Sequence, residues 1–87
     1  MRITNEQISA LVDASKFTGT KLGEKTTVLL ARLPNGFELA ETSACVDPAN
    51  YDQTIGEAIC KERIVNRLWQ LEGYRLQCQL AEEKRRA

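Results

Sequence analysis

The chain has no histidine. That removes the commonest general base and every Ser-His or Cys-His nucleophile arrangement. A zinc site would have only cysteines and carboxylates to draw on. Cysteine is scarce too: Cys45, Cys60 and Cys78 are an odd set with no C-x-x-C spacing. Such a set suits neither a disulfide framework nor a metal centre, and it points to a reducing compartment. Small buried apolar residues explain Cys60 and Cys78 better than reactive thiols do. Ser43 and Thr42 fall on a strand with no base partner. No catalytic constellation emerges, so neither an enzyme, nor a cofactor, nor a bound metal is expected.

A second group of absences concerns partners. No basic region followed by an apolar run opens the chain, so no signal peptide is expected. No apolar run approaches the ~20 residues of a spanning helix, and no membrane partner is expected. Charge of one sign is not in excess: Lys plus Arg is 12 and Asp plus Glu is 12. Electrostatic capture of nucleic acid wants a basic excess on some face, so the balance argues against it. A mild asymmetry survives at the C-terminal end. From Lys61 onward, Lys61, Arg63, Arg67, Arg75, Lys84, Arg85 and Arg86 outnumber Glu62, Glu72, Glu82 and Glu83. A solvated helix face accounts for it.

What is present is ordinary for one soluble α+β domain spanning 1–87, with 43% hydrophobic and 28% charged residues. A chain of this size buries only about 60–65% of its unfolded surface, which makes its core marginal and favours self-association. Residues 1–15 read as a short amphipathic helix. Thr4 and Gln7 are spaced for a capping box, Ile3 and Ile8 for a hydrophobic staple, and Ile8, Leu11 and Val12 share one face. Residues 16–24 read as a loop, broken by Gly19 and Gly23, with Phe17 and Leu22 as anchors. Its lysines and glycines match no phosphate-loop pattern, and the loop stands before a strand rather than before a helix.

Residues 25–46 read as a β-hairpin. Thr26 to Leu33 is rich in β-branched and apolar residues, Pro34-Asn35-Gly36 is a turn, and Phe37 to Val46 forms the second strand. With Leu33 opposite Phe37, Arg32 faces Glu38, Ala31 faces Leu39, Leu30 faces Ala40 and Val28 faces Thr42. One face then carries Leu29, Ala31, Leu33, Phe37 and Leu39 as core. The other mixes Val28, Leu30 and Ala40 with Arg32, Glu38 and Thr42, and calls for a cover from the N-terminal helix or a second copy. Residues 48–84 read as a long helix opened by Asp47-Pro48, with a short first turn at 48–51 and Asp52 as a second cap. Asp47, Asn50, Asp52 and Glu57 are read as capping residues at this start. Gly56 and Gly73 interrupt the helix and call for a packing reason, such as close approach of another backbone.

At 100° per residue this helix is apolar on two sides. Ile55, Ala58, Ile59, Val65, Trp69, Leu76 and Leu80 make one side. Cys60, Ile64, Leu68, Leu71, Tyr74 and Cys78 make the other. A helix apolar on two sides is covered on both. Only the hairpin and one short helix are available within the chain, so the stripe Cys60, Ile64, Leu68, Leu71, Tyr74 and Cys78 is the expected oligomer interface. Trp69, in a helical stripe, is read as core.

Four strings stand out in order: K-T-T-V at 25–28, L-P-N-G-F-E at 33–38, T-S-A-C-V-D-P-A-N at 42–50, and W-x-L-E-G-Y at 69–74. Together they resemble a family of small phage-encoded proteins named for phage N4 gene 49 and phage Sf6 gene 66. The resemblance covers about Gly23 to Leu80 and leaves the first 20 residues unmatched. It implies a phage or prophage accessory protein acting in the host bacterial cytoplasm, and it carries no catalytic or binding residue with it. The expected function is therefore a non-enzymatic, homo-oligomeric protein-interaction module directed at a host protein. Two alternatives stand beside it: an oligomer that sequesters a small anion or nucleotide, and nucleic-acid binding through the basic side of the long helix.

Overall fold

The structure is a computed structural model and describes all residues from Met1 to Ala87. The elements run helix α1 (Asn5–Ala14), strands β1 (Lys16–Leu22), β2 (Thr26–Arg32) and β3 (Glu38–Ala44), a single 3-10 turn at Pro48–Asn50, and helix α2 (Gln53–Arg86). The fold is α+β, as expected, with one strand more than expected.

Helix α1 forms where its cap allows. The Thr4 hydroxyl accepts from the Gln7 N–H at 3.2 Å, and the Gln7 side chain accepts from the Thr4 N–H at 2.8 Å. Two of the four orphan donors of the first turn are thereby met. At the other end, the Ser15 N–H reaches the Val12 carbonyl and its hydroxyl donates to the Leu11 carbonyl. The chain then passes straight into β1.

Strand β1 replaces the loop expected at 16–24. It pairs antiparallel with β2 along its whole length, from Lys16↔Arg32 to Leu22↔Thr26. Gly19 had suggested a break. It sits instead where the α2 side chains press on the strand: a Cβ there would overlap the Glu57 carboxylate. A glycine inside a strand often marks such a close approach. The turn to β2 uses Gly23 at φ +78°, a region that disfavours side chains.

The β2–β3 hairpin has the register expected from its turn: Arg32↔Glu38, Ala31↔Leu39, Leu30↔Ala40 and Val28↔Thr42. Gly36 takes φ +91°, and the Leu33 N–H donates to the Phe37 carbonyl at 2.8 Å. The sheet order is β1-β2-β3. Leu29, Ala31, Leu33 and Leu39 are buried as the core face, joined by Ile8, Cys60, Ile64 and Leu68. Phe37 is a correction. It precedes β3, at the turn, and keeps 51% of its surface exposed.

Both helices cover the same face of the sheet, because Ile8 of α1 joins the cluster that α2 fills. The opposite face, with Leu30, Ala40 and Thr42, has no cover within the chain. Two caps stand in succession ahead of α2, Asp47 for the 3-10 turn and Asp52 for α2 itself. Asp47 accepts from the Ala49 N–H at 3.0 Å, and Asp52 accepts from the N–H groups of Thr54 and Ile55. Gly56 brings the helix onto β2; a Cβ there would lie 2.8 Å from the Thr27 Cβ and closer still to its hydroxyl. Thr27 is fully buried, and its hydroxyl is satisfied by the Tyr51 hydroxyl at 2.9 Å. Gly73, by contrast, has open space where its Cβ would be.

With 34 residues α2 is about 51 Å long, whereas a seven-residue strand spans about 23 Å. The molecule is accordingly elongated, with extents of 60 × 22 × 20 Å.

Candidate interaction surface

The length mismatch divides the helix stripe. Cys60, Ile64 and Leu68 have no exposed surface and lie in the chain's own core. They are not available to a partner, which corrects the expected interface over that half. Their i, i+4 spacing is the ordinary spacing of a helix face packed on a sheet. The remaining members lie past the sheet. Leu71 is 40% exposed, Tyr74 is 73% exposed, and Cys78 is exposed. The structure therefore joins these six residues along one line and separates them by environment.

At the root of the free half, α1, the β2–β3 turn and α2 enclose a shallow groove of about 200 Å³. Leu11, Leu33, Phe37, Leu68 and Leu71 supply its apolar lining. Glu72 and Arg75 form its rim and are paired with each other. Phe37 was missed as a surface residue by reading the hairpin as a strict alternation. The signal available was its place directly after a bulged turn, where alternation lapses.

Beyond the groove the helix is poor in charge. Between Gly73 and Ala81 only Arg75 is charged. Tyr74 and Cys78 lie one turn apart. The neighbouring Cys78 thiol holds the Tyr74 phenol above its usual pKa. A wider depression of about 550 Å³ is only the flank of this free helix near Leu80 and Lys84, lined by one element and enclosing nothing.

The basic residues of α2 are largely engaged within the chain. Arg63 donates to the Thr42 carbonyl at 2.6 Å. Arg67 donates to the Ala40 carbonyl and pairs with Glu41 at 3.1 Å. Arg85 and Arg86 both pair with Glu82. Lys61 lies 5.1 Å from the Phe17 ring centre and Lys21 lies 4.8 Å from that of Tyr51. No three His, Cys, Asp or Glu side chains gather closely enough to hold a metal ion. The three thiols remain free and apart.

The phage protein (N4 Gp49/phage Sf6 gene 66) family matches the chain over residues 3–80. The chain belongs to this family. Its match to the phage protein family takes in α1 and β1, which the motifs from Gly23 onward did not reach. No curated protein and no solved structure matches the chain. No helix of this phage protein is long and apolar enough to cross a membrane.

Proposed function

We propose that this phage protein is a non-enzymatic accessory protein that works by binding. It acts as a homo-oligomer in the host bacterial cytoplasm and offers the free half of α2, with the groove at its root, to a host protein. The observation that carries this reading is the free helix itself: one charge between Gly73 and Ala81, with Leu71 and Tyr74 exposed beside an apolar groove. A lone solvated helix would be expected to carry more charge, and exposed apolar residues that cluster mark interaction sites.

The competing readings draw less support. A groove of about 200 Å³ is smaller than the ~300–1,000 Å³ of a typical small-ligand site. Four arginines of α2 that could contact phosphates are held by carbonyls and carboxylates of this chain.

The test is affinity capture from bacterial lysate with the full chain and with a Leu71→Arg/Tyr74→Asp variant. Both substitutions fall on exposed positions, so the fold should survive. The expected result is one host protein enriched by the wild type and lost, at least tenfold, by the variant. Equal capture by both, or capture by neither, overturns the reading.

A further inference from the structure

The two edges of the sheet are treated differently. In β2 the odd-numbered residues bond toward β3, as the flanking bonds Leu33 N–H to Phe37 carbonyl and Cys45 N–H to Lys25 carbonyl show. The outward groups of β3 therefore belong to Glu38, Ala40, Thr42 and Ala44. The Ala40 and Thr42 carbonyls are taken by Arg67 and Arg63. Two of the four outward carbonyls of that edge are thus capped by side chains from α2, and covering an edge is one of the ways in which proteins protect exposed strands.

The same alternation sends the even-numbered residues of β2 to β1. On β1 the outward N–H and C=O groups are then those of Phe17, Gly19 and Lys21. No side chain of the protein bonds to any of them, and β1 holds no proline. Along this edge also lie a carboxylate and two ammonium groups, those of Glu57, Lys21 and Lys61, and none of them is in an ion pair. The Glu57 carboxylate lies over Gly19.

We infer that the β1 edge binds the β1 edge of a second copy, antiparallel about a two-fold axis at Gly19, making one continuous six-stranded sheet. This rests on the homo-oligomer of the proposed function and gives it a surface. In that register Phe17 faces the partner's Lys21 and Gly19 faces the partner's Gly19. Thr18 faces the partner's Thr20, and Lys16 faces the partner's Leu22. All three outward residues of each strand are used, giving about six backbone hydrogen bonds at two per bonded pair. Moving the axis to Thr18 or Thr20 pushes one pair off the strand and loses two of these bonds.

Side chains agree with the same register. Between the paired strands no like charges stand opposite one another, and two Thr–Thr pairs form on the open face. The two Glu57 carboxylates are the one like-charge pair near the axis, offset by the Lys21 and Lys61 ammonium groups of both copies that flank it. A two-fold normal to the sheet leaves both α2 helices on one face, antiparallel, with their free halves clear of the contact. A second copy is thus the occupant that the strand's own sequence complements.

The register can be trapped in the full chain. In a Cys45→Ser/Cys78→Ser background, Thr18→Cys and Thr20→Cys are made separately and also co-expressed, then mildly oxidised. Directly opposed non-bonded pairs have Cα atoms about 4.5 Å apart, within disulfide reach, whereas diagonal neighbours at about 7–8 Å are not. The expected result is a disulfide dimer containing one copy of each variant, formed only in the co-expressed pool. Lys21→Pro, which removes an outward N–H and no bond to β2, should leave the circular dichroism unchanged and reduce the light-scattering mass to that of a 9.8 kDa monomer. A dimer that forms no mixed disulfide and survives Lys21→Pro overturns this register while leaving an oligomer in place. A wild-type monomer at high micromolar concentration overturns both the register and the oligomer of the proposed function.

Discussion

Cys60 lies in the middle of the core with no exposed surface. Burial disfavours its thiolate and raises its pKa, and this outweighs the lowering influence of Arg63 nearby. The sign of the consequence follows. The folded chain keeps the proton at a pH where the unfolded chain, with a thiol near about 8.5, has released it. Stability from this group is therefore intact below about pH 8.5 and falls as the pH rises. A thiol reagent at pH 8 should label exposed Cys78 in the native protein and reach Cys60 only in denaturant. Between pH 8 and 10, wild type should lose more stability than Cys60→Ala, as followed by urea denaturation. An equal loss would mean that Cys60 does not titrate differently in the two states. Its packing role was legible in the sequence, because a cysteine at helical spacing with Ile64 and Leu68 behaves as a small apolar residue.

Among the elements, α2 carries two glycines of opposite kinds. Gly56 lets the helix approach β2, where a methyl group would run into Thr27. At Gly73 a methyl group would meet no neighbour outside the helix. Alanine improves helix propensity by ~1 kcal/mol at either site. At position 73 that gain should appear undiminished as a rise of about 1 kcal/mol in denaturation free energy. At position 56 overpacking should more than offset it, with a net loss of about 1–2 kcal/mol. Equal effects at the two sites in chemical denaturation would show that the approach at Gly56 is not tight. The sequence marked both glycines as exceptional within a helix and could not tell them apart. What distinguishes them is whether the sheet reaches that turn of the helix. Strand β1 was illegible for a related reason: Gly19 looks like a breaker until the side chain that occupies its missing Cβ, Glu57 from 38 positions later, is known.

The whole molecule is long for its size. Its radius of gyration is 16.3 Å, against about 12 Å for a compact chain of 87 residues. The excess comes from the free half of α2. Small-angle scattering from Lys21→Pro at low concentration should give a radius of gyration near 16 Å. A value near 12 Å would mean that the helix folds back on the body, removing the surface on which the proposed host contact depends. The proposed oligomer and the free helix are compatible because they use different parts of the chain, a strand edge for one and a helix end for the other.

Local chemistry let the sequence alone determine the caps at Thr4, Asp47 and Asp52, the turn at Pro34-Asn35-Gly36 and, through that turn, the register of β2 on β3. Each of these is settled by residues within a few positions of one another, where backbone geometry leaves few choices. The sequence also showed that α2 carries more apolar surface than the chain could cover. Only the tertiary structure decided which part of that surface is already used. Cys60, Ile64 and Leu68 face the sheet because Gly56 and Thr27 set the line of contact, and Leu71, Tyr74 and Cys78 stay free because seven-residue strands end before they are reached. It alone set Arg63 and Arg67 on carbonyls of the β3 edge and left the β1 edge without such contacts. Contacts between residues more than 20 positions apart depend on how elements pack, and no local pattern in the chain encodes them.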